Sequence, residues 1–218
     1  MSKQSETTDD SFGARTPTSH ERLSGRHWDA SYHDATAPWD IGRPQPTIVR
    51  LTSDVQLAGP VLDAGCGTGD NALHLAALGY SVLGFDVAET ALATARRKAR
   101  DLGLEVAFIA ADALQLTRLG RTFKTVLDSG LFHTFDTDEQ GEYAASLASV
   151  TEHGGTAYVL CFSDEGPHLG PHPISREALR LAFSHANGWN VVNIEPDRVH
   201  SRFHENGAPA WFATIKRI

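Results

Sequence analysis

Val61-Leu62-Asp63-Ala64-Gly65-Cys66-Gly67-Thr68-Gly69 is the stretch whose reading decides the fold. Small and apolar residues, with one aspartate among them, lead into a Gly-x-Gly-x-Gly run, and a helical pattern begins at Asp70. A β-strand that ends this way turns tightly and lets its backbone approach a ligand closely, which only glycine permits without a side-chain clash. Free backbone N–H groups then face whatever lies over the carboxyl end of the strand. On its own the run also fits a dinucleotide-binding turn.

Outward from this stretch, strands and helices alternate. A helix is expected over 47–57, with Ile48, Leu51 and Val55 on one stripe. The first strand is read over 61–64, a helix over 70–77 closed by Gly79, and a second strand over 81–85 closed by Asp86. Ala88, Leu92, Ala95, Ala99 and Leu102 repeat at amphipathic-helix spacing, and Gly103 ends that helix. A third strand is read over 106–110, a fourth over 125–127 and a fifth over 155–162. Thr137-Asp138-Glu139-Gln140 reads as a capping box opening a helix to Val150, with Tyr143 and Leu147 inward. Ser175 is expected to cap a short helix through Phe183, and two closing strands are read over 189–194 and 210–216. Alternation of this kind calls for a parallel sheet covered on both faces. The last two strands have only a loop between them, so they form an antiparallel edge pair. The sum is an α/β fold: a Rossmann-like, seven-stranded, mainly parallel sheet with helices on both faces.

Composition narrows the partners. The 218 residues carry a formal net charge of −8, which argues against gripping a phosphate backbone. The basic cluster Arg96-Arg97-Lys98 reads as a solvated helix face. No apolar run approaches the ~20 residues needed to span a bilayer. Residues 1–25 lack a signal peptide's apolar core and are expected to be a disordered tail, leaving 26–218 as one domain with an N-terminal cap over 26–46. Cys66 and Cys161 read as small buried hydrophobes, which fits a reducing cytoplasm. The expected partner is a small molecule, with neither nucleic acid nor membrane, and the chain is expected to be a monomer or weak homodimer.

In an open parallel sheet, ligands bind outside the carboxyl ends of the strands. Here those ends carry Asp63 with the glycine turn, then Asp86, Asp112 and Asp128. Asp86 follows Gly69 at close to the ~20-residue offset of a ribose acceptor. Asp70 stands where a Gly-x-Gly-x-x-Gly fingerprint has its last glycine, which weighs against NAD. A ligand with a ribose, a purine and a cation, and no pyrophosphate, suits these residues better.

Asp63-Ala-Gly65-Cys-Gly67-Thr-Gly69, Asp86 and Asp112-Ala113 resemble the motifs of class I S-adenosylmethionine-dependent methyltransferases, over residues 61–129. The resemblance implies that Gly65 and Gly67 approach the methionine part and that Asp86 takes the ribose hydroxyls. It also implies that Asp112 accepts from the adenine amino group while Ala113 offers its backbone N–H. Asp128 or Ser129 would line the methionine end, and Asp63, Thr68 and Val87 belong to the same implied cofactor set. A narrower resemblance covers Trp28, Tyr32 and Pro38-Trp39-Asp40-Ile-Gly42-Arg43-Pro-x-Pro46, which are similar to the N-terminal cap of the thiopurine and thiol/halide methyltransferase group. The segment from His168 to Ser175 resembles that group's substrate-side loop, and actinobacterial relatives in the group methylate heterocyclic, quinolone-like or phenolic toxins. On this basis Trp28, Trp39 and Arg43 are candidate cofactor contacts, Arg43 with Asp40 closing over the carboxylate. For the aromatics, packing at the end of the sheet is the alternative.

Methyl transfer from a sulfonium is an in-line displacement, so positioning and desolvation do most of the work. A base is needed only where the acceptor arrives protonated. His133 in Gly130-Leu-Phe132-His133-Thr is the candidate base, a packing histidine being the alternative, and Phe132 and Phe135 are candidate walls for an aromatic acceptor, with simple core packing as their equal alternative. On the base reading, His133→Ala spares thiols and slows neutral phenols. The pairs His168/His172 and His200/His204 have i, i+4 spacing but lie in loop or strand, so no metal is expected. The expected function is methylation of O, N or S on a small aromatic heterocycle, with a thiol/halide methyltransferase or a non-catalytic cofactor-binding regulator as alternatives.

Overall fold

A four-residue strand, β1 (Val61–Ala64), ends where the glycine run begins and lies near the middle of the sheet. The structure is a computed structural model that describes residues 15–33, 37–166 and 172–218. Ahead of β1 come α1 (Ser19–Ser24), α2 (Trp28–His33) and α3 (Pro46–Asp54). After it follow α4 (Asp70–Ala77), β2 (Val82–Asp86), α5 (Glu89–Leu102), β3 (Ala107–Ala110), β4 (Phe123–Ser129), α6 (Thr137–Val150) and β5 (Thr151–Phe162). The chain closes with α7 (Arg176–Ala182), β6 (Trp189–Ser201) and β7 (His204–Arg217).

The seven strands are ordered β3-β2-β1-β4-β5-β7-β6, with β7 antiparallel to both of its neighbours. β1 runs parallel to β2 on one side and to β4 on the other, so the strand order reverses beside it and opens a crevice at the carboxyl edge. Strand residues alternate between two apolar layers. Leu62 and Ala64 face α6 and α7 with Tyr143, Leu147 and Leu179, whereas Val61 faces α3, α4 and α5 with Ile48, Leu75 and Leu92.

Several sequence expectations need correcting. Residues 15–25 are part of the fold rather than a disordered tail, and residues 1–14 lie outside the described residues. Helix α1 has too little apolar surface to be seen by periodicity and docks through polar groups instead. Glu139 accepts from the Ser19 N–H at 2.7 Å and from the Ser19 hydroxyl at 2.6 Å. Glu21, fully buried, pairs with Arg15 through two bonds. The capping box of α6 is formed by Asp136 and Glu139, one residue earlier than read. The closing strands are far longer than read and meet in a hairpin at residues 201–204, because pairing with a neighbour carries polar and apolar residues alike into a strand. Asp112 caps a 3-10 helix, Ala113–Leu119, that periodicity did not reveal. Cys66 and Cys161 are both free thiols. Among the described residues, no helix is long and apolar enough to cross a membrane.

Candidate active site

The carboxyl ends of β1, β2 and β4, the segment after β3, the N-terminal helices and the β6–β7 hairpin enclose one cavity of about 290 Å³. Its floor is formed by Gly65, Asp86, Val87, Asp112 and Ala113, and its far wall by Leu131, His133, Phe135 and Phe162. Trp28, Tyr32, Trp39 and Arg43 line it from the cap.

The glycine turn is pinned from beneath. Asp86 is nearly buried, and its two oxygens accept from the Gly67 and Ala88 N–H groups, each at 2.9 Å. Burial pushes its carboxyl up, while those N–H bonds and that of Val87 pull the other way. Each oxygen keeps a lone pair, and the residue borders the cavity. Gly65 is left-handed with φ 64°, and a Cβ there would press to 3.0 Å from Leu131, so both the turn and its packing on Leu131 call for glycine. Asp112 accepts the Leu114 N–H at 2.9 Å, which fixes Ala113 and the adjoining backbone at the cavity edge.

Asp63, Gly67, Thr68 and Asp128 do not line this cavity, whereas Gly65, Asp86, Val87, Asp112 and Ala113 do. Asp63 lies on the same face of β1 as Val61 and meets the Ala72 N–H in the first turn of α4. The residue before that helix is Gly69, which has no side chain to cap it, so Asp63 supplies the acceptor from the strand below. Burial, then the neighbouring Asp128, Asp86 and Asp70, push its pKa up to about 7, and its Oδ2 has no partner. Asp128 is fully buried and accepts from the Leu131 N–H at 2.9 Å, the Phe132 N–H at 3.0 Å and the Tyr143 hydroxyl at 2.9 Å. Burial raises its pKa to about 6 despite these bonds. Its role is to shape the turn that carries His133. Gly67 is roofed by Tyr32, whose hydroxyl would lie 2.8 Å from a Cβ at that position. Thr68 is buried, its hydroxyl donating to Asp40 at 3.1 Å and accepting from Lys98 at 2.9 Å.

The cap aromatics join in one cluster over the cavity. Trp39 donates its indole N–H to the Tyr32 hydroxyl at 2.8 Å, and Trp28 meets Trp39 edge-on at 5.5 Å. His20 stacks on Trp28 at 4.2 Å and its Nδ1 lies 3.3 Å from His172 Nε2. His20 falls within the stretch expected to be a tail, and no local pattern marks it. Asp40 and the hairpin are tied together, since Arg202 donates to the Pro38 and Asp40 carbonyls at 2.8 and 2.6 Å. Phe203 and His204 of the hairpin thereby become cavity wall, which local sequence did not reveal. Phe132 turns into the core against Phe183, whereas Phe135 reaches the cavity edge.

His133 is brought to the cavity, with its ring held against β5. Its Nδ1 accepts the Phe162 N–H at 3.3 Å and its ring packs on Phe162 at 4.4 Å. Burial, with His172 and His20 nearby, holds its pKa down to about 3. Of the histidine pairs, His168 lies outside the described residues, and His204 Nδ1 is 2.9 Å from the Ser201 hydroxyl. Among the described residues no group of three or more His, Cys, Asp or Glu is arranged to hold a metal.

Comparison with known proteins matches this arrangement. Residues 61–155 fit the family model described as a methyltransferase domain. The chain is 37% identical over 181 residues to the 2-heptyl-1-hydroxyquinolin-4(1H)-one methyltransferase of Mycobacteroides abscessus, covering 80% of this chain and 79% of that protein. A structure from work on the conversion of a disulfide bond into a thioacetal group during echinomycin biosynthesis superposes with a TM-score of 0.78 at 38% identity, over 87% of this chain and 91% of that one. The 1,6-didemethyltoxoflavin-N1-methyltransferase of Burkholderia thailandensis, solved with its substrate and S-adenosylhomocysteine, shares the fold at a TM-score of 0.71 and 24% identity, over 94% and 92% of the two chains.

Proposed function

The chain belongs to the S-adenosylmethionine-dependent methyltransferases, and from that premise we propose that it methylates the oxygen of a hydroxylated, planar heterocycle such as a 1-hydroxyquinolin-4-one. The observation that carries this reading is the continuity of the cavity. One end is the glycine turn with acidic strand ends, and the other is walled by Phe135, Phe162 and Phe203 under the Trp28 cap.

On this reading Gly65, Asp86, Val87, Asp112 and Ala113 hold the cofactor, with Trp28, Trp39 and Arg43 closing over it. The bound cofactor supplies an electrophilic methyl on a sulfonium. The protein aligns an acceptor lone pair behind that methyl and keeps water out, which suffices for an in-line displacement. Flat apolar walls suit a flat acceptor, because apolar area and ring contacts dominate the binding of aromatic groups. A cytoplasmic enzyme acting as a monomer or weak homodimer completes the reading. Pro196 and the charged Asp197 and Arg198 on the edge strand β6 discourage edge-to-edge pairing.

The similarity to the echinomycin-pathway protein favours a second reading, in which the acceptor is sulfur. Incubation with S-adenosylmethionine and either 2-heptyl-1-hydroxyquinolin-4(1H)-one or a panel of thiols, followed by mass detection of the methylated product, decides between them. Product from the hydroxyquinolone supports the first reading; product from thiols alone replaces it with the second.

A further inference from the structure

The proton on His133 can be located from its surroundings. The ring is presented by the turn Phe132–Thr134, and Asp128 fixes that turn by accepting the Leu131 and Phe132 N–H groups. A backbone N–H can only donate, so the bond from Phe162 requires a bare lone pair at Nδ1. A neutral imidazole with a bare Nδ1 carries its single proton at Nε2. Among the described residues, Nε2 has no partner and is not sealed off by protein, and His133 borders the cavity. The atom offered to an acceptor is therefore an N–H. The titratable groups bearing on the ring are His172, from the segment before α7, and His20 of α1. Neither supplies the negative charge that would favour an imidazolium.

Building on the reading above, we propose that His133 is a fixed Nε2–H donor to an acceptor that enters already ionised, so the site selects oxyanions of acidic hydroxyl heterocycles and does not deprotonate neutral ones. The proton leaves the acceptor to solvent before binding. The acceptor oxygen then supplies the pair for the new O–CH3 bond, while the pair of the S–CH3 bond returns to sulfur and neutralises the sulfonium. No protein group gains a proton. A donor aimed at an oxyanion in a dry site favours the ionised form and orients its remaining lone pairs.

Two measurements test this. Nitrogen-15 spectra of histidine-labelled enzyme, with the His133 signals identified by their loss in His133→Gln, should show the Nε2–H tautomer and no titration between about pH 5 and about pH 9. An Nδ1–H tautomer, or a titration in that range, overturns the proposal. In kinetics, the pH inflection of kcat/KM should move with the acidity of the acceptor across a series of hydroxyquinolones and phenols. His133→Gln, whose amide keeps a donor and an acceptor, should stay within about tenfold of the parent, and His133→Ala should lose about a hundredfold. One inflection shared by all acceptors, or equal loss in both variants with recovery at high pH, overturns it. If the hydroxyquinolone is not methylated at all, the function proposed above falls, and the spectra, which need no acceptor, still decide the tautomer.

Discussion

Asp29 of α2 accepts the backbone N–H of Thr90 at 2.7 Å and its hydroxyl at 2.8 Å, so the cap is tied to the first turn of α5. Ala88 precedes that helix and has no side chain able to cap it. Asp29 performs the task from outside, and places Trp28 and Tyr32 of the same short helix above the cavity. Asp29→Ala should lower stability by about 1 kcal/mol, the usual worth of a helix cap. Affinity for S-adenosylhomocysteine should drop more, by about tenfold, because the cap loses its anchor. Calorimetric titration beside thermal unfolding checks the contrast.

Gly67 and Tyr32 form a second such constraint. The turn holds Gly67 at φ 53°, where side chains are strained, and the Tyr32 hydroxyl occupies the space a Cβ would enter. Gly67→Ala should therefore displace Tyr32 and weaken cofactor binding by tenfold or more, since left-handed strain of about 1–2 kcal/mol adds to the clash. Combining it with Tyr32→Phe, which removes the hydroxyl, should recover part of that loss in the same titration. No recovery would place the cost in the backbone alone.

The central elements were legible because their signals are local. Strand β1 and helices α4 and α6 fall where periodicity and glycine punctuation put them. The direction of each strand-end carboxylate was less accessible, since Asp63 and Asp86 look alike in sequence. One caps α4 beneath the turn and the other borders the cavity, a difference set by the alternation of faces along β1 and by partners such as Ala72 and Gly67. Helix α1 was missed because what holds it, Glu139, lies far along the chain. The bond that holds the His133 ring was hidden for the same reason, because its partner Phe162 lies at the end of β5.

Ser19 concentrates the attachment of α1. Its hydroxyl donates to Glu139 at 2.6 Å and accepts the Asp136 N–H at 2.9 Å, and both bonds are buried or nearly so. Ser19→Ala removes both bonds and leaves the Asp136 N–H and the Glu139 carboxylate to each other at 3.2 Å, a loss of about 1–2 kcal/mol. The cost should fall on local opening rather than on global unfolding, because α1 packs on few apolar residues. Hydrogen exchange at residues 19–25 should accelerate while β1 and β4 stay protected. KM for the acceptor should rise severalfold with kcat little changed, as His20 loses its fixed place beside Trp28.

Asp63 gives the fold a pH dependence whose sign can be worked out. Its pKa is raised from 3.8 to about 7, mainly by burial, so the unfolded chain releases this proton first as pH rises. Between about pH 4 and about pH 7 the folded state holds more protons, and stability falls as pH increases through that window and stays lowered above it. Each pKa unit is worth about 1.4 kcal/mol, which puts the swing on the order of a few kcal/mol. Asp63→Asn keeps an oxygen for the Ala72 N–H and removes the titration. Its Tm relative to the parent should therefore be clearly better at about pH 8 than at about pH 5, with the parent losing stability across the interval and the variant's curve flatter. Equal Tm differences at the two pH values would mean that Asp63 is ionised in the folded chain throughout, held so by α4.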